Sequence, residues 1–259
     1  MPPIRVRSLP WHDLVPLRRW ERARELLLPL PWLVLALWAA SRSHWVIAPL
    51  ASFYFYLAGL RLVHDTFHGN LGLRRRANDA VLVTLSLLML GSMHAVRLTH
   101  LQHHRDCLGD DDVEGATARG SAAAAILQGA AFPVRLHRAA LHLAGPRQRS
   151  WIHAELAIGL VLLGLAIVSG STVLRYHVAA MIAAQSLSGF FAVWTVHHDC
   201  DRWDEIARTL RHRLKSAVVL DMFYHLEHHL YPRIPTCRLP VLAERLDREL
   251  PELVRKQVY

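Results

Sequence analysis

Charge in this chain comes and goes on the scale of whole helices. Four long segments carry none: Leu26 to Ser41, Ser43 to Leu60, Leu156 to Leu174 and Tyr176 to His198. Crossing the hydrocarbon core of a bilayer takes roughly 17 to 25 apolar residues in a helix, so each segment predicts a span. The first is the shortest and holds Pro29 and Pro31, which predicts a kinked helix. The links between paired segments, around Arg42 and from Ser169 to Arg175, are short enough to make two hairpins. Between the hairpins, Ala80 to Val96 is apolar but ends in Gly91, Ser92 and His94 between the charges of Asp79 and Arg97, which predicts an interfacial or re-entrant helix. The alanine-rich run Gly120 to Val134 is expected to lie on the surface or to pack against a cap. After the last span, Trp203 to Met222 mixes Arg, Lys and aliphatic residues in a helical manner, and Arg238 to Leu250 predicts an amphipathic helix entered after Pro232 and Pro235. The fold expected is a single all-α integral membrane domain over residues 1–259, with about four transmembrane helices in two hairpins and a helical cap.

Composition agrees with this pattern, since 53% of the 259 residues are apolar and the mean hydropathy is positive. The net charge of +9 adds an orientation. Six Arg precede residue 25, others stand at Arg74 to Arg76, Arg97, Arg105, Arg119, Arg135, Arg138 and Arg147, and a further set follows Asp201, whereas the short links are nearly bare. The positive-inside bias then puts both termini and the central segment in the cytoplasm, with a bacterial inner membrane as the expected location. Basic residues distributed by segment rather than along a stripe argue against a nucleic-acid partner. Cys107, Cys200 and Cys237 form no CxxC, so neither a disulfide framework nor a thiolate metal site is expected and the three read as ordinary thiols. No small-residue cleavage pattern of a signal peptide follows the first apolar run.

Histidine placement supplies the chemistry. With 18 His in the chain, chance gives about 0.09 HxxHH matches, yet two occur: His100, His103 and His104 in HLQHH, and His225, His228 and His229 in HLEHH. His64 and His68 add an HxxxH. Residues three and four apart share a helix face, so each motif is a chelating face. Neutral imidazole suits Fe, Cu, Ni or Zn, and eight such donors exceed the needs of one ion, which favours two. All three motifs fall on one side of the expected topology, the side the Arg count makes cytoplasmic, and the cap is expected to carry them. Acidic residues nearby, Asp65, Asp106, Asp111, Asp112 and Glu227, are candidates to accept imidazole N–H bonds, Asp65 and Glu227 foremost because they lie within motifs. A zinc peptidase is disfavoured because no HExxH occurs. A metal-handling membrane protein is the rival outside enzymes, although it would want ionisable ligands inside spans that are nearly bare.

The order HxxxH, HxxHH, HxxHH at the ends of two hairpins resembles the membrane fatty acid desaturase superfamily, which also holds carotenoid ketolases and hydroxylases. The stretch from Tyr224 to Pro235 resembles its third histidine box, and His64-Asp65 through Gly69, Asn78-Asp79 and HLQHHRD resemble the first two. In organisation the likeness covers roughly residues 26–245. It implies a non-haem pair of iron ions held by His64, His68, His100, His103, His104, His225, His228 and His229, with His197 or His198 as a ninth ligand. The Asn that supports a bound water near that ninth position in the acyl-CoA branch has no counterpart here, where Trp194, Thr195 and Val196 approach it. The activity implied is O2-dependent oxidation of a lipid acyl chain in the membrane, a desaturation by first expectation and a carotenoid or other lipid ketolation or hydroxylation as the alternative. No HPGG haem motif, flavin fingerprint or cysteine cluster is present, so a separate electron donor, ferredoxin-like or a cytochrome, is expected.

Overall fold

A computed structural model describes residues 9–201, 205–251, 253 and 255–258. Arg5, Arg7 and Trp203, used above for charge and helix expectations, lie outside the described residues. The fold is all-α, with no strand among the described residues and one isolated bridge, Thr209 to Gln257.

Four helical stretches are long and apolar enough to cross a membrane: Arg19–Ser41, Ile47–Phe67, Pro146–Val168 and Thr172–His197. The first is two helices, α1 (Arg19–Leu27) and α2 (Leu30–Ser41), joined through Pro29, whose missing N–H permits the break. α3 (Ile47–Phe67) returns beside α2, and the buried Ala39, Ala40 and Ala48 let the two backbones approach closely. α3 runs seamlessly past the expected boundary at Leu60 because the charge at Arg61 is satisfied inside the protein. Its Nε and Nη2 donate to the Glu25 carboxylate at 2.9 and 3.0 Å, and Nη1 donates to the Leu220 carbonyl at 2.6 Å. The first histidine motif therefore rides on the last turns of a span.

α4 (Arg75–Met89) and α5 (Met93–Arg105) meet at 108°. Leu90, with φ 60°, breaks the first, and the Ser92 hydroxyl caps the second by accepting the Ala95 N–H. Because α5 brings His100 to within 3.1 Å of His68 at the end of α3, the pair returns to the side from which it set out. That agrees with the interfacial or re-entrant expectation. Short helices α6 (Ala122–Leu127) and α7 (Ala131–Leu143) follow.

α8 (Pro146–Val168) begins at Pro146 rather than Leu156, since its polar first turns have a use: buried Glu155 accepts from the Ser92 hydroxyl and the His94 ring, both at 2.6 Å. It stops at Val168, before Gly170 at φ +67°. α9 (Thr172–Ser188) continues through a π-helical stretch, Gly189–Trp194, into the single turn α10 (Thr195–His197). Lipid-facing residues such as Val34, Leu160, Ile167 and Val168 are exposed, as a hydrocarbon surround requires.

Beyond the spans, the expected helix from Trp203 to Met222 reduces to α11 (Arg213–Val218). Residues 205–211 form no helix because their backbone pairs elsewhere: Arg208 N–H with the Val196 carbonyl, Thr209 N–H with the Lys256 carbonyl and Leu210 N–H with the Phe223 carbonyl. α12 (His225–Leu230) carries the third motif, and α13 (Leu239–Glu249) closes the cap on Leu239, Leu242 and Leu246, matching the amphipathic expectation.

Candidate metal centre

Helical spacing gives each motif its face, and the cap brings the faces together. The ring nitrogens of His64, His68, His100, His104 and His228 lie within 4.8 Å of one another, as do donor atoms of His103, Cys107, His197 and His229. His225 joins the latter set, its Nε2 being 2.9 Å from His197 Nε2 and 3.1 Å from His229 Nε2. Among the expected ligands the ring left out is His198, which stacks on Trp194 at 3.9 Å and turns its Nδ1 to the Trp194 carbonyl.

The hydrogen bonds made by the outer nitrogens decide what the inner ones can do. His100 Nδ1–H donates to Glu114 at 3.0 Å, His103 Nδ1–H to Asp112 at 2.7 Å, and His197 Nδ1–H to the Ile206 carbonyl at 2.8 Å. With the proton on Nδ1, each Nε2 presents a lone pair to the interior. Yet His103 Nε2 stands 3.1 Å from His197 Nε2 and 3.3 Å from His229 Nε2, and His228 Nε2 stands 2.9 Å from His104 Nε2. Where both outer nitrogens hold the protons, as in neutral His103 and His197, the facing lone pairs repel unless a proton or a metal cation lies between them. Two imidazoles bound near 2.1 Å at right angles on one ion would have nitrogens about 3 Å apart. Both ring nitrogens of half-buried His64 are shielded from solvent and lack any hydrogen-bond partner, a cost that a metal would remove. The donor set thus fits two borderline transition-metal ions, iron included.

Electrostatics outside the spans favour neutral rings. Burial and crowding by other imidazoles hold His104, His225, His228 and His229 well below the ordinary imidazole range, and burial with His100 and Arg97 pushes His68 down to about 3. His103 moves the other way: burial opposes its charge, but the Asp112 carboxylate raises it well above the ordinary value.

Asp65 and Glu227, the acids expected to orient imidazoles, contact none. Asp65 accepts the Thr236 N–H at 3.0 Å and its hydroxyl at 3.1 Å, and Asn70 beside it donates to the carbonyls of Pro232 and Ile234. The pair clasps the first motif to the chain after the third. Glu227 points to the opposite face of α12, accepting from the Thr209 hydroxyl at 2.7 Å and from Arg211. The orienting acids are Asp112, one of the lesser candidates, and Glu114, which sequence reasoning missed; both sit on the turn that follows α5, where no local periodicity announces them. His94, His137 and His177 brace the fold through Glu155, Ser92 and Leu88.

An apolar cavity of about 990 Å³, counting its open mouth, ends at this centre, with His64, His100 and His225 in its wall beside Leu60, Val63 and Phe223. The π-helical stretch supplies Phe191, Ala192 and Val193 to the same wall, a place where such distortions recur. A smaller cavity continues from it between α3 and α9, sharing Tyr56, Leu57 and Ser188, and reaches Phe53 and Leu187, which are exposed on the lipid-facing surface.

The fatty acid desaturase family model matches residues 41–258 of the chain. No curated protein matches it significantly.

Proposed function

From its membership of the fatty acid desaturase family, to which this chain belongs, we propose that it is a membrane non-haem di-iron oxidase that uses O2 and two electrons to introduce a C=C bond into a lipid acyl chain. One observation carries the reading: nine imidazoles converge in two sets at the inner end of an apolar cavity. In the proposed assignment His64, His68, His100, His104 and His228 hold one ion, and His103, His197, His225 and His229 the other. When bound, the iron pair would supply the oxidising power needed to take hydrogen from an unactivated methylene.

The remaining work belongs to the chain. Leu57, Leu60, Val63, Phe67 and Phe223 form a wall that an alkyl chain can line without competing water, so the reacting carbon is selected by position. Asp112 and Glu114 hold the Nδ1 protons of His103 and His100 and keep Nε2 available. Electrons would come from a separate ferredoxin-like or cytochrome donor docking on the arginine-bearing side, which we assign to the cytoplasm of a bacterial cell.

A second reading, hydroxylation or ketolation of a carotenoid or other lipid, draws support from the gap between α3 and α9, which offers a bilayer-dissolved molecule a lateral path. Mass-spectrometric profiles of acyl chains and carotenoids in cells expressing the chain with a reductant source, compared with His228→Ala, separate the readings. New unsaturated acyl chains lost in the variant support the desaturase. Oxygenated lipids or carotenoids support the second reading, and identical profiles count against both.

A further inference from the structure

The two histidine sets are unequal. The first brings five imidazoles together, whereas the second has four: His103, His197, His225 and His229. Into the second set comes a side chain of a different kind. Cys107 Sγ stands 4.0 Å from His103 Nε2 and within 4.8 Å of donor atoms of His197 and His229. A thiolate near 2.3 Å and an imidazole near 2.1 Å from a shared ion have donor atoms about 3 to 4 Å apart.

Its position is built rather than incidental. α5 ends at Arg105, and the turn beyond it carries Leu108 in the left-handed region at φ 59°. One carboxylate oxygen, Oδ2 of Asp112, accepts both the Leu108 N–H at 2.8 Å and the His103 Nδ1–H at 2.7 Å. The same acid therefore sets the ring of His103 and the turn that presents the thiol. The competing contact of the thiol, the Ile206 carbonyl at 3.9 Å, is too long to bind it firmly.

We propose that Cys107 is the fifth protein donor of the second set, so that one ion is held by imidazoles alone and the other by imidazoles and a thiolate. This rests on the two-ion reading above. Binding costs the thiol its proton, which leaves to solvent as the sulfur–metal bond forms. The soft, negatively charged donor makes the two ions inequivalent, the thiolate-bound one favouring its more oxidised state.

The test uses the full chain in detergent, stripped by chelator and reloaded anaerobically with Co2+ as a spectroscopic probe. Expected are two Co2+ per chain, a near-ultraviolet thiolate-to-cobalt band that Cys107→Ser and Cys107→Ala both lack, and alkylation of Cys107 slowed on the order of tenfold by loading while Cys237 is unaffected. The alkylation comparison needs no variant and so stands even if a variant folds poorly. Two bound Co2+ with no such band, or a Cys107 that alkylates equally fast with and without metal, would overturn the thiolate assignment and leave the two-ion reading intact. Fewer than two Co2+ on the unaltered chain would overturn both.

Discussion

At the scale of single residues, the centre depends on how protons are distributed around the imidazoles. Asp112→Asn removes the negative charge that holds the Nδ1 proton of His103, and Glu114→Gln does the same for His100. Each is expected to weaken metal retention by about 10- to 100-fold, measured as ions per chain after dialysis against graded chelator. Asp112→Asn should preferentially empty the second set, and equal loss from both would contradict the division described here. Proton competition gives a second expectation. In the metal-free fold His68, His104, His225, His228 and His229 stay neutral, whereas in the unfolded chain they take up protons below about pH 6.5. The unfolded state then binds more protons, so stability falls as pH drops from that value toward the lowered folded ones, with His103 opposing in part. Thermal scans of metal-free protein should show the midpoint falling between about pH 7 and 5, and a flat profile would refute it. The imidazoles that converge were legible because i, i+3, i+4 spacing is written in the chain. Asp112 and Glu114 were not foreseen as the orienting pair, since their approach depends on a turn that folds back over α5. Asp65 and Glu227 misled because adjacency in sequence puts a side chain on a neighbouring face of the helix, pointing away from the imidazoles.

At the scale of elements, the four spans and the bent pair were legible from runs of apolar residues, and their ends were less so. α3 outruns its uncharged segment because Glu25 neutralises Arg61 inside the protein, and α8 starts early because Glu155 meets Ser92 and His94. Such boundaries are fixed by partners far away in sequence. The π-helical stretch is a similar case, since nothing in GFFAVW announces it. Gly189 marks it in space, where an added Cβ would lie 2.9 Å from Phe132 Cγ. The elements also make the cavity testable. Leu57→Trp, on the wall shared by both cavities, should reduce turnover of long alkyl substrates on the order of tenfold while leaving metal content unchanged, because it fills space about two helical turns from His64. Loss of metal in that variant would mean that the helix had shifted instead.

At the scale of the whole molecule, the sequence patterning foretold an all-α membrane fold and a histidine-bearing cap, and the family match agrees with both. How the cap closes was hidden, because it depends on pairing across most of the chain. Asp65 holds Thr236, Asn70 holds Pro232 and Ile234, and Thr209 pairs with Lys256 and Val258. A chain cut after residue 200 is expected to integrate into membranes yet retain no tightly bound metal, checked by carbonate extraction and elemental analysis; metal retention by that fragment would sink the idea. The clasp between Asp65 and Thr236 also orders events during synthesis. At 5–20 residues per second, the stretch from the first motif to Thr236 takes roughly 10 to 30 s to emerge from the ribosome. Throughout that interval the four spans can settle in the bilayer while His64 and His68 wait for His228 of the third motif. The histidine centre is thereby left incomplete in the nascent chain, because the clasp is among the last contacts the growing chain can make.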